Sequence, residues 1–174
     1  MTPLPSPADW DSWNKEPFSE YRKRWPASLS HIPEPVIEHW VHRHWNDFRA
    51  WLPLRPMDWN YRQGLIDNDA VMQVGHVRDW MSTLDYWGND LIDGPSRRET
   101  WLGRYMLETG TTPTPIIVAT NAGGRKHPRE HDAQMVSPMQ LIEGHMRLAY
   151  LRALIRHQHP NVKQHHEVIF ATLP

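Results

Sequence analysis

Gln140 to Ile155 reads QLIEGHMRLAYLRALI, and two periodicities meet inside it. Met139 to Ile142 has the length and apolar content of a strand. From Arg147 to His157, by contrast, Leu148, Leu151, Leu154 and Ile155 recur at helical spacing, and Pro160 closes the run. Gly144 stands where the period changes. A strand that passes through a glycine into an amphipathic helix predicts a sheet with helices packed on it rather than a helical bundle.

The neighbouring segments extend this pattern. Upstream, Ile116-Ile117-Val118-Ala119 is a short continuous apolar run after Thr111-Thr112-Pro113-Thr114-Pro115, and it reads as a buried strand. Asn121 to Pro138 is a long polar loop, poor in apolar anchors, that reads as mobile and open to proteolysis. Glu167 to Ala171 gives the last strand. Before these, Ser96-Arg97-Arg98-Glu99 has the form of a capping box, with Ser96 capping a helix that carries Trp101, Leu102, Tyr105 and Met106 and stops at Gly110. Val71 to Val77 has the β-branched content of a strand, and Met81 to Trp87 either extends it or begins a helix. The expected fold is therefore α/β (α+β) from about Val71 onward.

The N-terminal part differs in kind. The chain has 174 residues, enough for one core and a small appendage, and all ten tryptophans lie between Trp10 and Trp101. Pro3, Pro5, Pro7, Pro17, Pro26, Pro33 and Pro35 break any long helix and predict an irregular arm laid on a surface by its aromatics. Ile37, Trp40, Val41, Trp45, Phe48 and Leu52 then mark an amphipathic helix ended by Pro53. His39, His42 and His44 sit on it. An i, i+3 pair can share a metal, but no carboxylate–histidine pattern accompanies them, so they read as polar-face residues and no metal site is expected. The division drawn is a Trp/Pro-rich arm and helix over residues 1–69 and a domain over residues 70–174.

Composition narrows function by exclusion. A formal charge of -1 gives no global reason to bind nucleic acid or an anionic membrane, so a polyanion site must be local. With no cysteine there is neither a thiol nucleophile nor a disulfide scaffold. No apolar run reaches membrane-span length, and MTPLPSPADWDSW lacks a signal-peptide layout, so a cytoplasmic location is expected.

The junction at Gly144 carries the chemistry. The first N–H groups of a helix have no partner within it, and a preceding glycine lets a ligand approach the backbone closely, so this turn is an anion site. Arg147 offers a planar, permanently charged fork for phosphate oxygens. His145 can donate to the same anion or move a proton near neutral pH. Glu143 can hold a ribose hydroxyl, a metal-bound water or Arg147 itself.

Pro115-Ile116-Ile117-Val118, the helix and glycine from Trp101 to Gly110, and Glu143-Gly144-His145-Met146-Arg147 together resemble the ParB/sulfiredoxin superfamily. The resemblance covers about Val71 to Leu173 and implies a small mixed sheet with helices that binds nucleotide phosphates, of ATP or CTP. It assigns Gly144, His145 and Arg147 to phosphate binding. Pro95-Ser96-Arg97-Arg98 looks like the short Pro/Arg segment of that superfamily, which brings Arg97 and Arg98 to the same phosphates. His145 stands where sulfiredoxins carry their cysteine, so sulfinic acid reduction is excluded. No helix-turn-helix follows before Pro174, so a partitioning clamp is not expected.

The leading function is accordingly a nucleotide-dependent enzyme, a hydrolase or phosphotransferase, or a switch. The ligand is a nucleoside triphosphate, with Mg²⁺ as its companion ion. Glu143 and His145 are the catalytic candidates, with Glu99 and Asp93 behind them. Two other classes compete. One is a protein-interaction module that retains the fold and uses the Trp-rich arm as its interface. The other is a nucleic-acid-binding or nuclease-like protein using Arg125, Lys126, His127, Arg129 and His131 in the long loop, although Glu130 and Asp132 dilute that charge.

Overall fold

The computed structural model describes residues 4–130 and 132–174, and His131 lies outside them. The arm contains α1 (Phe18–Lys23), α2 (Glu34–Val36), a π-helical turn (Ile37–His42) and α3 (Trp45–Phe48). β1 (Asn60–Asp67), α4 (Asn68–Gln73) and the two-residue β2 (Val74–Gly75) follow. Next come α5 (Trp80–Asp93), α6 (Pro95–Arg98) and α7 (Trp101–Thr109). β3 (Ile116–Ala119), β4 (Met139–Glu143), α8 (His145–Arg156) and β5 (His165–Thr172) complete the chain. The strands form one mixed sheet in the order β1-β5-β3-β4-β2: β1/β5 and β3/β4 are antiparallel, β3/β5 and β2/β4 parallel. The fold is mixed α/β, as expected.

Side-chain alternation explains why the strands read as continuous apolar runs. Ile116, Val118, Leu141 and Val168 face a core built with α4, α5, α7 and α8. Ile117, Ala119, Ile142, Ile169 and Ala171 face the opposite way, into a core with Trp25, Trp40, Trp45, Trp51 and Trp59. Both faces of the sheet are thus covered, one by helices and one by the arm, and a strand buried on both faces carries no polar alternation. Those five tryptophans are buried within the chain, whereas Trp13 is fully exposed. Among the described residues no helix is long and apolar enough to cross a membrane.

Several elements depart from expectation. Val71 to Gln73 belong to α4, because Asp67 caps that helix, its side chain accepting from Ala70 N at 2.8 Å, and only Val74 and Gly75 remain as strand. A good cap here outweighs β-branched content. β1 was not anticipated: it is an edge strand with a single buried residue, Ile66, so it shows little apolar alternation. It also lies before residue 70, so the sheet crosses the division drawn from composition. The segment after Val36 is not one regular helix. Arg43 N bonds Glu38 O at 2.9 Å across the π turn, and Pro53 sits inside a 3-10 turn (Arg49–Leu54) rather than ending a helix.

Ser96 is not a cap. Pro95 takes the first helical position of α6, where its fixed φ suits it, and Thr100 caps α7 by accepting from Gly103 N at 3.0 Å. Gly110 does end α7, at φ 70°. α8 begins at His145, two positions before the expected start at Arg147.

Loop 120–138 is anchored rather than bare. Ala122, His127 and Met135 are buried, and a bridge between Lys126 and Gln134 folds the loop back on itself.

Candidate functional site

β2 and β4 run parallel, so their C-terminal ends lie on the same edge of the sheet. His76 follows one and Gly144-His145 follows the other. Gly144 adopts φ 102°, and a Cβ there would lie 2.7 Å from Ile116 Cγ2, so the turn requires glycine on both counts. Among the described residues no side chain caps α8, a helix of 12 residues, so its first N–H groups stay available above the sheet edge.

Arg147 is not available. It is 8% exposed and donates to Thr114 O at 3.1 Å, Pro115 O at 2.9 Å, the Thr114 hydroxyl and the Glu143 carboxylate. The expected phosphate fork is therefore a clamp that pins the start of α8 to the segment ahead of β3, and it occupies Glu143 as well. Arg97 also departs from expectation: its Nε pairs with Asp90 at 3.0 Å, and its Nη1 lies 3.8 Å from Met146 Sδ. Arg98, Glu99 and Asp93 are exposed. None of these four lines either cavity at the box.

The arm supplies what the Pro/Arg segment does not. A cavity of about 360 Å³ lies over the first turn of α8, lined by Gly144, His145 and Arg147 on one side and by His39, Arg43 and His44 on the other. Trp101, largely exposed, forms part of its rim. The π-helical turn explains the placement, since its extra residue turns Trp40 and Val41 into the core while His39 and Arg43 reach the cavity. His42 takes no part: it is buried, with its Nε2 2.8 Å from Glu16 O.

A second cavity, of about 180 Å³, adjoins the first and shares His44, Glu143 and His145 with it. His76, Trp80 and His127 close it. His145 Nε2 lies 3.1 Å from His76 Nε2, and the ring centroids of His76 and His127 are 5.4 Å apart. The hydrogen-bond partners assign the protons. Val77 O, 3.4 Å from His76 Nδ1, only accepts, so Nδ1 carries the hydrogen and His76 Nε2 accepts from His145 Nε2–H. His145 Nδ1 then keeps its lone pair, with no donor to it among the described residues.

His127 has the tautomer opposite to that of His76. Its Nδ1 accepts from Arg129 N at 3.3 Å and Glu130 N at 3.2 Å, so Nε2 carries the hydrogen. That Nε2, on a residue 3% exposed, has no hydrogen-bond partner among the described residues.

Burial keeps these imidazoles neutral. Desolvation, with His76 alongside, lowers His145 to about 3 and His127 to about 4, and desolvation also lowers His76 and His44. The carboxylates of the second cavity each have a cationic partner: Arg129 for Asp47 at 2.6 Å, Arg78 for Glu130 at 3.5 Å, and Arg147 for Glu143. The cavity is thus close to neutral. Of the loop cations considered for nucleic acid, Arg129 is bound to Asp47, and Arg125 donates to Pro174 O at 2.8 Å.

Sequence reasoning located Gly144, His145 and Glu143 but missed Arg43, His76 and the contribution of His127. One signal was present: Gly75-His76 repeats the Gly-His pair of Gly144-His145, each at the C-terminal end of a strand. Among the described residues no three His, Asp or Glu side chains converge to hold a metal ion. Compared with known proteins, the chain matches no family model, no curated protein and no solved structure.

Proposed function

We propose that this protein binds the phosphates of a nucleoside triphosphate on the first turn of α8 and acts as a nucleotide-dependent enzyme or switch. One observation carries the reading: an uncapped 12-residue helix, opened by Gly144 in the left-handed region, faces a cavity whose opposite wall presents Arg43. Free backbone N–H groups and the helix dipole favour an anion, and the Arg43 guanidinium, which has no carboxylate partner among the described residues, supplies the countercharge. The likeness of Glu143 to Arg147 to the ParB/sulfiredoxin box supports a nucleotide as that anion. Phosphate suits the residues present, held by the α8 N–H groups with Arg43 and His39 opposite. Mg²⁺ finds no free carboxylate there, because Glu143 is taken by Arg147, so any such ion arrives with the phosphates. His145 stays the candidate proton acceptor, and Glu143 acts through Arg147 as a positioning residue.

A thermal-shift series with ATP, CTP, GTP and inorganic tripolyphosphate, each with and without Mg²⁺, tests the reading. A ligand at a hundred times its dissociation constant stabilises by about 2.7 kcal/mol. Arg43→Ala is expected to weaken binding by about tenfold, through loss of one charge-assisted hydrogen bond. No shift with any of these ligands at millimolar concentration would overturn it.

A further inference from the structure

We propose that His76 is the positioning partner of His145: it fixes the tautomer that leaves Nδ1 of His145 free to take a proton, and it receives the Nε2 proton that His145 then gives up. The inference rests on the phosphate reading above, since the group losing its proton is the nucleophile that attacks a bound phosphate. Geometry carries it. The two imidazoles stand just past the ends of parallel strands, and their Nε2 atoms lie 3.1 Å apart, a hydrogen-bond distance. With its Nδ1 hydrogen on Val77 O, His76 offers only a lone pair to that bond, so His145 is the donor. A base oriented through its second nitrogen by a third group is the arrangement that activates a nucleophile. Trp80 lies 5.2 Å from His145 and 5.3 Å from His76, centroid to centroid, so one indole flanks both rings.

The surroundings of the two rings decide where the proton rests. Desolvation lowers His145 to about 3, and its neighbours His76, Arg129, His44 and His127 push the same way. An imidazole so weakly basic holds a proton poorly near neutral pH. His76 faces His145 from α8, Trp80 from α5, and His127, Arg129 and Glu130 from loop 120–138. Desolvation lowers His76 too, yet Val77 O and the Glu130 carboxylate favour its charged form against Arg129. A proton shared by the pair therefore settles on His76. In the step itself a water gives one proton to His145 Nδ1 as its oxygen bonds to phosphorus and the phosphoanhydride bond breaks toward the leaving phosphate. His145 Nε2–H passes to His76 Nε2, so His145 ends neutral and His76 carries the charge, with hydrogen on both nitrogens. Reverse transfer, ending on the leaving phosphate, resets the pair.

Two measurements on the full chain test this. Nitrogen NMR of the histidine side chains near pH 7 should show His145 with its hydrogen on Nε2 and His76 with its hydrogen on Nδ1; the opposite tautomer at either ring overturns the proposal. Phosphate release from ATP, CTP and GTP with Mg²⁺ then reads the proton step. His76→Gln keeps an oxygen that accepts from His145 Nε2–H but takes no proton, and His76→Phe removes the acceptor. Both should lower turnover by about a hundredfold, the lower end of what a positioned base contributes. Nucleotide affinity should stay unchanged, because His76 lines the smaller cavity and not the one assigned to the phosphates. Only His76→Gln should keep the His145 tautomer, so its loss of turnover separates proton acceptance from orientation. Full turnover in either variant, or a parent protein that binds nucleotide without releasing phosphate, overturns the pair and leaves the phosphate reading standing. Failure of every nucleotide to bind overturns both.

Discussion

Arg147 is held by two backbone carbonyls, a hydroxyl and a carboxylate, and its own side chain and that of Glu143 are almost wholly buried. Removing one partner of a buried pair leaves the other charge uncompensated, which costs about 3–5 kcal/mol. Arg147→Ala should therefore lower the urea midpoint strongly, and adding Glu143→Gln should recover part of the loss because the stranded carboxylate is gone. Equal midpoints for Arg147→Ala and the parent protein would show that the clamp does not form. At this scale the sequence was half legible. Gly144 could be read as a tight turn from the change of period around it, and its φ of 102° agrees. The partner of Arg147 could not: an arginine in a first turn looks the same in sequence whether it faces phosphate or carbonyls more than thirty residues away.

Ser96, the cap read from sequence, and Thr100, the cap the structure shows, separate a local pattern from the realised helix. Thr100 accepts from Gly103 N and donates to Arg97 O at 2.7 Å, whereas Ser96 lies in the first turn of α6 and is exposed. Thr100→Ala should cost about 1 kcal/mol of stability. Ser96→Ala should stay within about 0.5 kcal/mol, measured by the same denaturant titration. The reverse order would restore the capping box read from sequence. The helices and strands with strong periodicity, α7, α8, β3, β4 and β5, were legible to within a few residues. β1 was not, because an edge strand exposed along most of its length needs no apolar alternation.

Across the whole molecule, the arm and the helices cover opposite faces of one sheet, and the candidate site lies where the arm, loop 120–138 and the sheet edge meet. Burying four imidazoles there makes stability depend on pH. His44, His76, His127 and His145 all have folded values below the unfolded value near 6.5, so the unfolded chain binds protons more readily. Their contribution is complete above about pH 6.5 and is lost as pH falls toward the folded values, about 4 for His127 and about 3 for His145. Urea unfolding at pH 7, 6 and 5 should show stability falling, and His145→Asn should flatten that slope. A slope unchanged in the variant would mean that His145 is not buried as a neutral ring.

The sequence by itself determined the α/β class, the three central strands, the helices α7 and α8 and the glycine turn into α8, because period, caps and turns are local and act over a few residues. Only the tertiary structure decided which side chains share the site. Arg43 reaches it through a π-helical turn, His76 through a strand of two residues, and His127 through a loop folded under Trp51. These placements arise from packing the arm and the loop against the sheet, and contacts so distant along the chain leave no periodic mark on it.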